Sequence, residues 1–302
     1  MPEGDTIFRT ARALGRALTG KPIVYFDASF ATLAQANDQT SFIGQTITLV
    51  ESRGKWLLIH IAASSRLPKS IIKKSDLAES SERILATHML MSGSWHLYRP
   101  GDPWKDKDSN ARIILEVADY QAVGFRIPIA RVYTAQTLAR DRKIPRADRD
   151  VLSPSFDPAA AVKRLLARGQ LANPDQLGDA LLRQDVLAGV GNVFKSEICF
   201  ILCLNPFRKV DTLTQRQAKQ LVATAQKLLA ANVLEDSTDL IVTYSGRKRR
   251  TTGKADPGDN LWVYGRKNEP CRRCKTPIQR ALQGPNARST YWCPHCQPIH
   301  QD

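Results

Sequence analysis

Four cysteines close the chain as Cys271-x2-Cys274-x18-Cys293-x2-Cys296, a spacing that restricts the fold of its C-terminal end more than any other feature. Each pair sets two thiolates one tight turn apart, the arrangement that holds one tetrahedral Zn2+ between two knuckles. The segment between the pairs is long enough to run out and back as a β-hairpin carrying Arg288, Tyr291 and Trp292. So small a module folds only around its metal. With Cys271, Cys274, Cys293 and Cys296 filling all four positions, the zinc is structural and no place is left for a reactive water. His295 lies between the last two ligands and is expected at the surface. Cys199 and Cys203, in an apolar helical run, read as small buried hydrophobes.

A chain of 302 residues holds roughly two domains, so the metal staples one appendage and the rest stands on its own core. Its 44 Lys and Arg exceed its 29 Asp and Glu by 15, which points to a polyanionic partner without separating nucleic acid from anionic membrane. From Ser245 onward twelve basic residues face four acidic ones, so +8 of the +15 falls at the C-terminal end, a contact surface. No run approaches the ~18 consecutive apolar residues of a membrane span. The opening MPEGDTIF has neither a basic n-region nor an apolar h-region, so a cytoplasmic protein is expected. Four clustered ligands and two core thiols fit a reducing compartment.

Apolar residues at helical spacing predict an amphipathic helix over 5–18, with Asp5 as N-cap, Gly20 just past the end and Ile7, Phe8, Ala11, Leu14 and Leu18 on one face. Short β-rich runs follow: PIVYFDA, TITLV, KWLLIHIA, ILATHMLM, SWHLY, ARIILEV and RIPIARVY, separated as in an antiparallel sandwich or barrel. The Ser- and Lys-rich stretch over 62–82 reads as an exposed insertion between two strands. Over 137–157 the sequence is charged and punctuated by proline, a domain boundary. Helical periodicity then marks AAAVKRLLAR, DQLGDALLRQDVLA, VFKSEICFIL and QRQAKQLVATAQKLLAAN.

Two stretches carry candidate chemistry. Methionine before proline is ordinarily removed, which leaves Pro2 as a secondary amine at a helix N-terminus, where the helix dipole disfavours the ammonium form. Such an amine can attack an aldehyde-like sugar carbon and form an iminium, with Glu3 as general acid and later base. A processed terminus without catalytic duty is the other reading of Pro2. In LLRQDVLAGVGNVFKSEICF, Gly189, Gly191 and Asn192 join two helices; the glycines admit a phosphate to backbone N–H groups beside Asn192, or serve packing alone.

The MPEG start, Gly54-Lys55, THMLMSGSW, QDVLAGVGN-x-x-K-x-E and LWVYGR…PCRRC…RSTYWCPHCQ, in this order over almost the whole chain, resemble the Fpg/Nei family of DNA glycosylases. Within it the pattern is most similar to the actinobacterial type of endonuclease VIII. The resemblance implies an α+β multidomain protein with an N-terminal helix and antiparallel β-sandwich over 1–136, a linker over 137–157 and a helical H2TH (helix–two-turn–helix) domain over 158–244. A mobile basic loop over 245–260 and a β-hairpin zinc finger over 261–302 complete it. It implies a bifunctional enzyme of base excision repair, acting as a monomer on damaged double-stranded DNA at the nucleoid, with one structural Zn2+, no catalytic cofactor and no membrane. By the same resemblance Pro2 is the Schiff-base nucleophile, Glu3 the proton donor for base loss, and Lys55 a contact to phosphates flanking the lesion, opening a strand. Asn192 binds phosphate, Arg288 grips the phosphate beside the flipped nucleotide, and Met91 fills the hole left by the everted base, unless that Met is strand core.

Thr6 stands where many family members have a second glutamate, so that carboxylate's role does not transfer. AVGFRIPIA lacks the Arg-x-Phe-Gly-like loop by which Fpg enzymes read cytosine opposite 8-oxoguanine, which favours oxidised pyrimidines as substrates. Leu90 and Ser92 also depart from the better-known endonuclease VIII. Formamidopyrimidine/8-oxoguanine specificity, or a zinc-ribbon DNA-binding protein that has lost catalysis, are the alternatives.

Overall fold

The computed structural model describes residues 2–62, 82–233, 251–252 and 260–299. Of the insertion expected over 62–82 only residues 62 and 82 are described, and of the basic loop expected over 245–260 only 251–252 and 260; the rest lies outside the described residues. The described residues form two compact units, one from Pro2 and the described residues of 6–144, the other from 3–5, 145–233, 251–252 and 260–299.

The first unit contains α1 (Gly4–Leu18) from Thr6 onward, β1 (Tyr25–Ala28), α2 (Ala31–Gln39), β2 (Thr46–Arg53), β3 (Trp56–Ala62), β4 (Arg83–His88), β5 (Ser94–Tyr98), β6 (Ala111–Val117), β7 (Tyr120–Phe125), β8 (Ile129–Thr134) and α3 (Ala135–Arg140). Two four-stranded antiparallel sheets, ordered β1-β6-β7-β5 and β2-β3-β4-β8, make the expected sandwich. One core joins Ile7, Ala11, Leu14 and Leu18 of α1 to Leu57, Ile59 and Ile61 of β3 and to Ile113 and Leu115 of β6. The opposite side of β3 is covered as well: Trp56 and Leu58 pack with Ile84, Tyr133, Leu138 and Ile144. Burial on both faces is why β3 reads as a nearly continuous apolar run, interrupted only by His60, instead of an alternating one.

Helix α1 begins one residue earlier than expected, so Asp5 lies in its first turn and is not its N-cap. Three elements were absent from the sequence reading. Strand β7 follows β6 through the two-residue turn Ala118-Asp119, which lacks the glycine that ordinarily marks such a hairpin. Helix α2 buries only Leu33, leaving no apolar stripe to detect. Helix α3 occupies the start of the charged stretch and is held by a capping box between Thr134 and Thr137.

The second unit holds α4 (Pro158–Ala167), α5 (Leu177–Leu182), α6 (Asn192–Ile201), α7 (Gln215–Ala231) and the hairpin of β9 (Gln279–Gln283) with β10 (Arg288–Trp292). Asp157 caps α4 by accepting from Ala159 and Ala160 N–H, with Pro158 at the first helical position. Helix α6 is central, with every residue from Asn192 to Phe200 buried. The helix expected over DQLGDALLRQDVLA is only α5; the rest is the turn that leads into α6. Cys199 is buried as expected, whereas Cys203 is half-buried, and its sulfur accepts from Arg273 at 3.1 Å. The helix has ended there, and Cys203 takes a positive φ of 56°.

Candidate active site

In the second unit, the N-terminus of α6 is capped from the far end of the chain. Its N-cap residue, Gly191, has no side chain to offer. Glu3 fills the role: its Oε1 accepts from Val193 N–H at 2.9 Å and its Oε2 from Phe194 N–H at 3.4 Å. These are orphan donors at the positive end of the helix dipole, the natural seat of a carboxylate. The neighbouring backbone closes the lock, Gly4 N–H donating to the Gly189 carbonyl at 2.9 Å. A Cβ on Gly191 would stand 2.2 Å from the Glu3 carboxyl carbon, and one on Gly4 2.6 Å from Gly189 Cα. The Glu3-Gly4 and GVGN stretches are thus two halves of one contact, and their glycines are the space it needs. Asn192 opens α6 buried, its Oδ1 without a hydrogen-bond partner among the described residues.

Further along α6, Lys195 is fully buried and donates to Thr290 Oγ1 of the hairpin at 2.6 Å. Burial pushes its pKa down to about 8, against the attraction of Cys199, Asp179 and Glu3. Glu197, also fully buried, accepts from the N–H groups of Trp262, Val263 and Tyr264 at 2.8–2.9 Å and from the Thr251 hydroxyl. Burial raises its pKa, opposed by those donors. It anchors the segment that leads into the cysteine module.

That module gathers Cys271, Cys274, Cys293 and Cys296 with their sulfurs within 4.8 Å of one another. The closest approaches, 3.4 Å for Cys274–Cys293 and 3.9 Å for Cys271–Cys296, bracket the ~3.8 Å edge of a tetrahedron of sulfurs about 2.3 Å from zinc. His295 is exposed and outside the cluster. Arg288 is the first residue of β10, after the turn 284–287, and is exposed.

In the first unit, Pro2 is buried. Lys55 lies not in a strand but in the Gly54-Lys55 turn that joins β2 to β3, with Gly54 at φ 61° and Arg53 paired to Trp56. Met91 is likewise not in a strand: β4 stops at His88, and Leu90, Met91 and Ser92 form an exposed turn. Met91 is 68% exposed, which removes the reading as core. Leu90 takes φ 45°, and its N–H donates to His88 Nδ1 at 3.1 Å. Burial and the charge of Lys55 push the His88 pKa down to about 4, keeping that nitrogen an acceptor at neutral pH.

Three family models match: the formamidopyrimidine-DNA glycosylase N-terminal domain over 1–127, the H2TH domain of the same enzymes over 149–242, and the zinc finger found in FPG and IleRS over 268–299. The chain is 36% identical to "Probable endonuclease 8 2" of Streptomyces coelicolor across 98% of this chain and 94% of that one. The chain belongs to the Fpg/Nei family of DNA glycosylase/AP lyases. It is 35% identical to "DNA-(apurinic or apyrimidinic site) lyase Nei2" of Mycolicibacterium smegmatis over 98% and 99% of the two chains. Solved structures share the Fpg/Nei fold: Lactococcus lactis Fpg with abasic-site DNA superposes with TM-score 0.71 at 20% identity, covering 98% and 99% of the chains. MutM with carbocyclic 8-oxo-G DNA gives TM-score 0.72, also at 20% identity, covering 98% and 100%.

Among the residues of this Fpg/Nei chain that sequence reasoning passed over, Lys195 and Glu197 stood in plain view in the N-x-x-K-x-E stretch. Two charges on the apolar helix VFKSEICFIL are their signal, since charges held inside a core demand partners. His88 carried no such signal.

Proposed function

We propose that this chain excises oxidised pyrimidines from duplex DNA and then cleaves the strand at the abasic site, through an iminium on Pro2. The observation that carries the reading is the seat of Glu3: the residue after the nucleophile is fixed on the N-terminus of α6, beside Asn192. With Met1 removed, the Pro2 nitrogen attacks the sugar C1′ as the glycosidic bond breaks, and Glu3 delivers a proton to the opening sugar ring. The C1′ iminium draws electrons from C2′, whose proton is lost as the 3′ phosphate departs; δ-elimination then releases the 5′ phosphate. Lys55, Asn192 and Arg288 hold the phosphates, and Met91 wedges into the stack from its exposed turn. Zinc on the four thiolates only staples the finger.

The AP lyase step is the activity named in the Mycolicibacterium relative. Preference for pyrimidine lesions draws support from the short β7–β8 connection: β7 ends at Phe125 and β8 starts at Ile129, leaving three residues to read an opposite base. We propose the same chain as a monomer working on nucleoid DNA; among the described residues no helix is long and apolar enough to cross a membrane. Borohydride trapping on duplexes containing thymine glycol, 8-oxoguanine or an abasic site tests this. A covalent adduct is expected with thymine glycol and abasic DNA. DNA binding without an adduct on any duplex would overturn catalysis, and an adduct confined to 8-oxoguanine opposite cytosine would overturn the pyrimidine preference.

A further inference from the structure

Lys195 belongs to no role proposed above, yet it is a cation with no solvent exposure at all. Its Nζ donates to Thr290 Oγ1 at 2.6 Å and to the Ser289 carbonyl at 3.4 Å, the two residues that follow Arg288 on β10. Thr290 is itself buried, and its hydroxyl passes the chain on to Gln283 Oε1 at 2.8 Å. Gln283, the last residue of β9, then donates through Nε2 to Gln176 Oε1 and to the Pro206 carbonyl, both at 2.8 Å. The relay runs in one direction, lysine to hydroxyl to amide to carbonyl, so each donor finds an acceptor.

Its geometry surrounds one residue. Arg288 pairs with Gln283 across the hairpin, and Thr290 lies on the same face two residues on, so the relay grips both strands at the end that bears Arg288. The turn is clamped too: Gly284 has φ 69°, and a Cβ there would meet Asp179 Oδ1 at 2.1 Å. Arg288 emerges from this clamp exposed. A buried cation adds little to stability that a well-packed apolar side chain would not supply. Lysine at this place therefore calls for another reason, and its hydrogen bonds supply one, since they end on the two residues that follow Arg288.

We propose that Lys195 is a positioning residue for Arg288, clamping the hairpin through Thr290, Ser289 and Gln283 so that the guanidinium is held out to a DNA phosphate. This rests on the proposed role of Arg288, and the experiment separates the two. Affinity for a duplex with a tetrahydrofuran abasic analogue is measured against salt for the full-length chain carrying Lys195→Met, Thr290→Val, Arg288→Ala or Lys195→Met with Arg288→Ala, with zinc content and thermal melting recorded for each. Arg288→Ala is expected to weaken binding about tenfold and to lower the slope of log K on log salt by about one counterion. Lys195→Met should do the same with its zinc intact, and the double variant should be no weaker than Arg288→Ala, because the two act through one contact. Thr290→Val cuts the relay while leaving the lysine, and serves where Lys195→Met loses its metal. Additive losses in the double variant, or wild-type affinity and slope in both Lys195→Met and Thr290→Val, would overturn the proposal while Arg288 keeps its role. An Arg288→Ala chain with unchanged affinity and slope would overturn the role of Arg288 itself, and the positioning proposal with it.

Discussion

A single methyl group tests the contact between the chain's first residues and α6. Gly191→Ala places a Cβ 2.2 Å from the Glu3 carboxyl carbon and 2.5 Å from its Cγ and Oε1, so the Glu3 side chain is the part that must move. Overpacking of this kind costs about 1–3 kcal/mol. A displaced general acid costs roughly 100-fold in rate. Single-turnover excision of thymine glycol is expected to fall by about that factor while the protein still melts cooperatively; full excision by Gly191→Ala would mean that Glu3 does not act from this seat. A second residue-scale expectation concerns pH. His88 has a folded pKa of about 4, against 6.5 in the unfolded chain, so between those values the unfolded state binds the extra proton. Its contribution therefore leaves the protein fully stable above about pH 6.5 and is lost as pH falls toward 4, by at most about 3 kcal/mol. Urea melts at pH 4.5 and 7 should show this loss, and His88→Gln, which keeps an acceptor for Leu90 but does not titrate, should reduce it.

At the scale of elements, α6 organises its unit by holding a carboxylate at each end of a short span, Glu3 on its N-terminal amides and Glu197 under the approach to the finger. Glu197→Ala removes the acceptor for three N–H groups at once, that of Val263 buried and the other two half-buried, each worth up to about 1–3 kcal/mol when left unmet. Amide exchange at Trp262, Val263 and Tyr264 is expected to accelerate at least tenfold, and zinc to be released faster to a chelator; unchanged exchange would place the anchor elsewhere. Local pattern explains what the sequence disclosed at this scale. Helices α1, α4 and α7 and most strands announced themselves by period, because each packs one face on a core, while α6 and β3, buried on every side, stood out as apolar stretches. The β7 hairpin did not, its turn Ala118-Asp119 carrying no turn signature, and neither did the polar α2. The candidate site was readable as a set of motifs, since Pro2, Glu3, Lys55, Asn192 and Arg288 stand in recognisable strings. That Lys55 and Met91 sit in turns depended on where β3 begins and β4 ends, a boundary that apolar runs leave open. The Glu3 cap spans 190 residues and was invisible to any window, although the glycines that permit it were quoted.

Over the whole molecule, the two units keep separate cores, and among the described residues the cysteine cluster that can hold a metal lies in the second. The finger is tied to its unit by Phe200, which packs with Val263, Cys271, Ile278 and Cys293, and by the buried Gln297, which donates to the Leu204 carbonyl at 2.8 Å and accepts from Cys293 N–H at 2.9 Å. These contacts hold Cys293 in a fixed place, but so short a module lacks a core of its own and folds with its metal. Chelation, or Cys293→Ser, is thus expected to unfold the finger and release the clamp on Arg288, while the sandwich of the first unit, with no cysteine among its residues, keeps its structure. Zinc bound to the native state alone stabilises it by mass action, so the second unit's melting temperature should fall with free zinc while the first unit's does not. The finger and the approach to it carry +8 of the net +15, so affinity for duplex DNA should drop and its salt dependence flatten. Pro2 is untouched by the change: borohydride trapping at saturating abasic DNA is expected to recover part of the adduct that is lost at low DNA concentration. Scanning calorimetry with and without chelator, paired with trapping across a DNA titration, measures both effects. A single melting transition that shifts as a whole on chelation would mean that the units unfold together. Trapping that stays absent at every DNA concentration would place the finger in the chemistry itself.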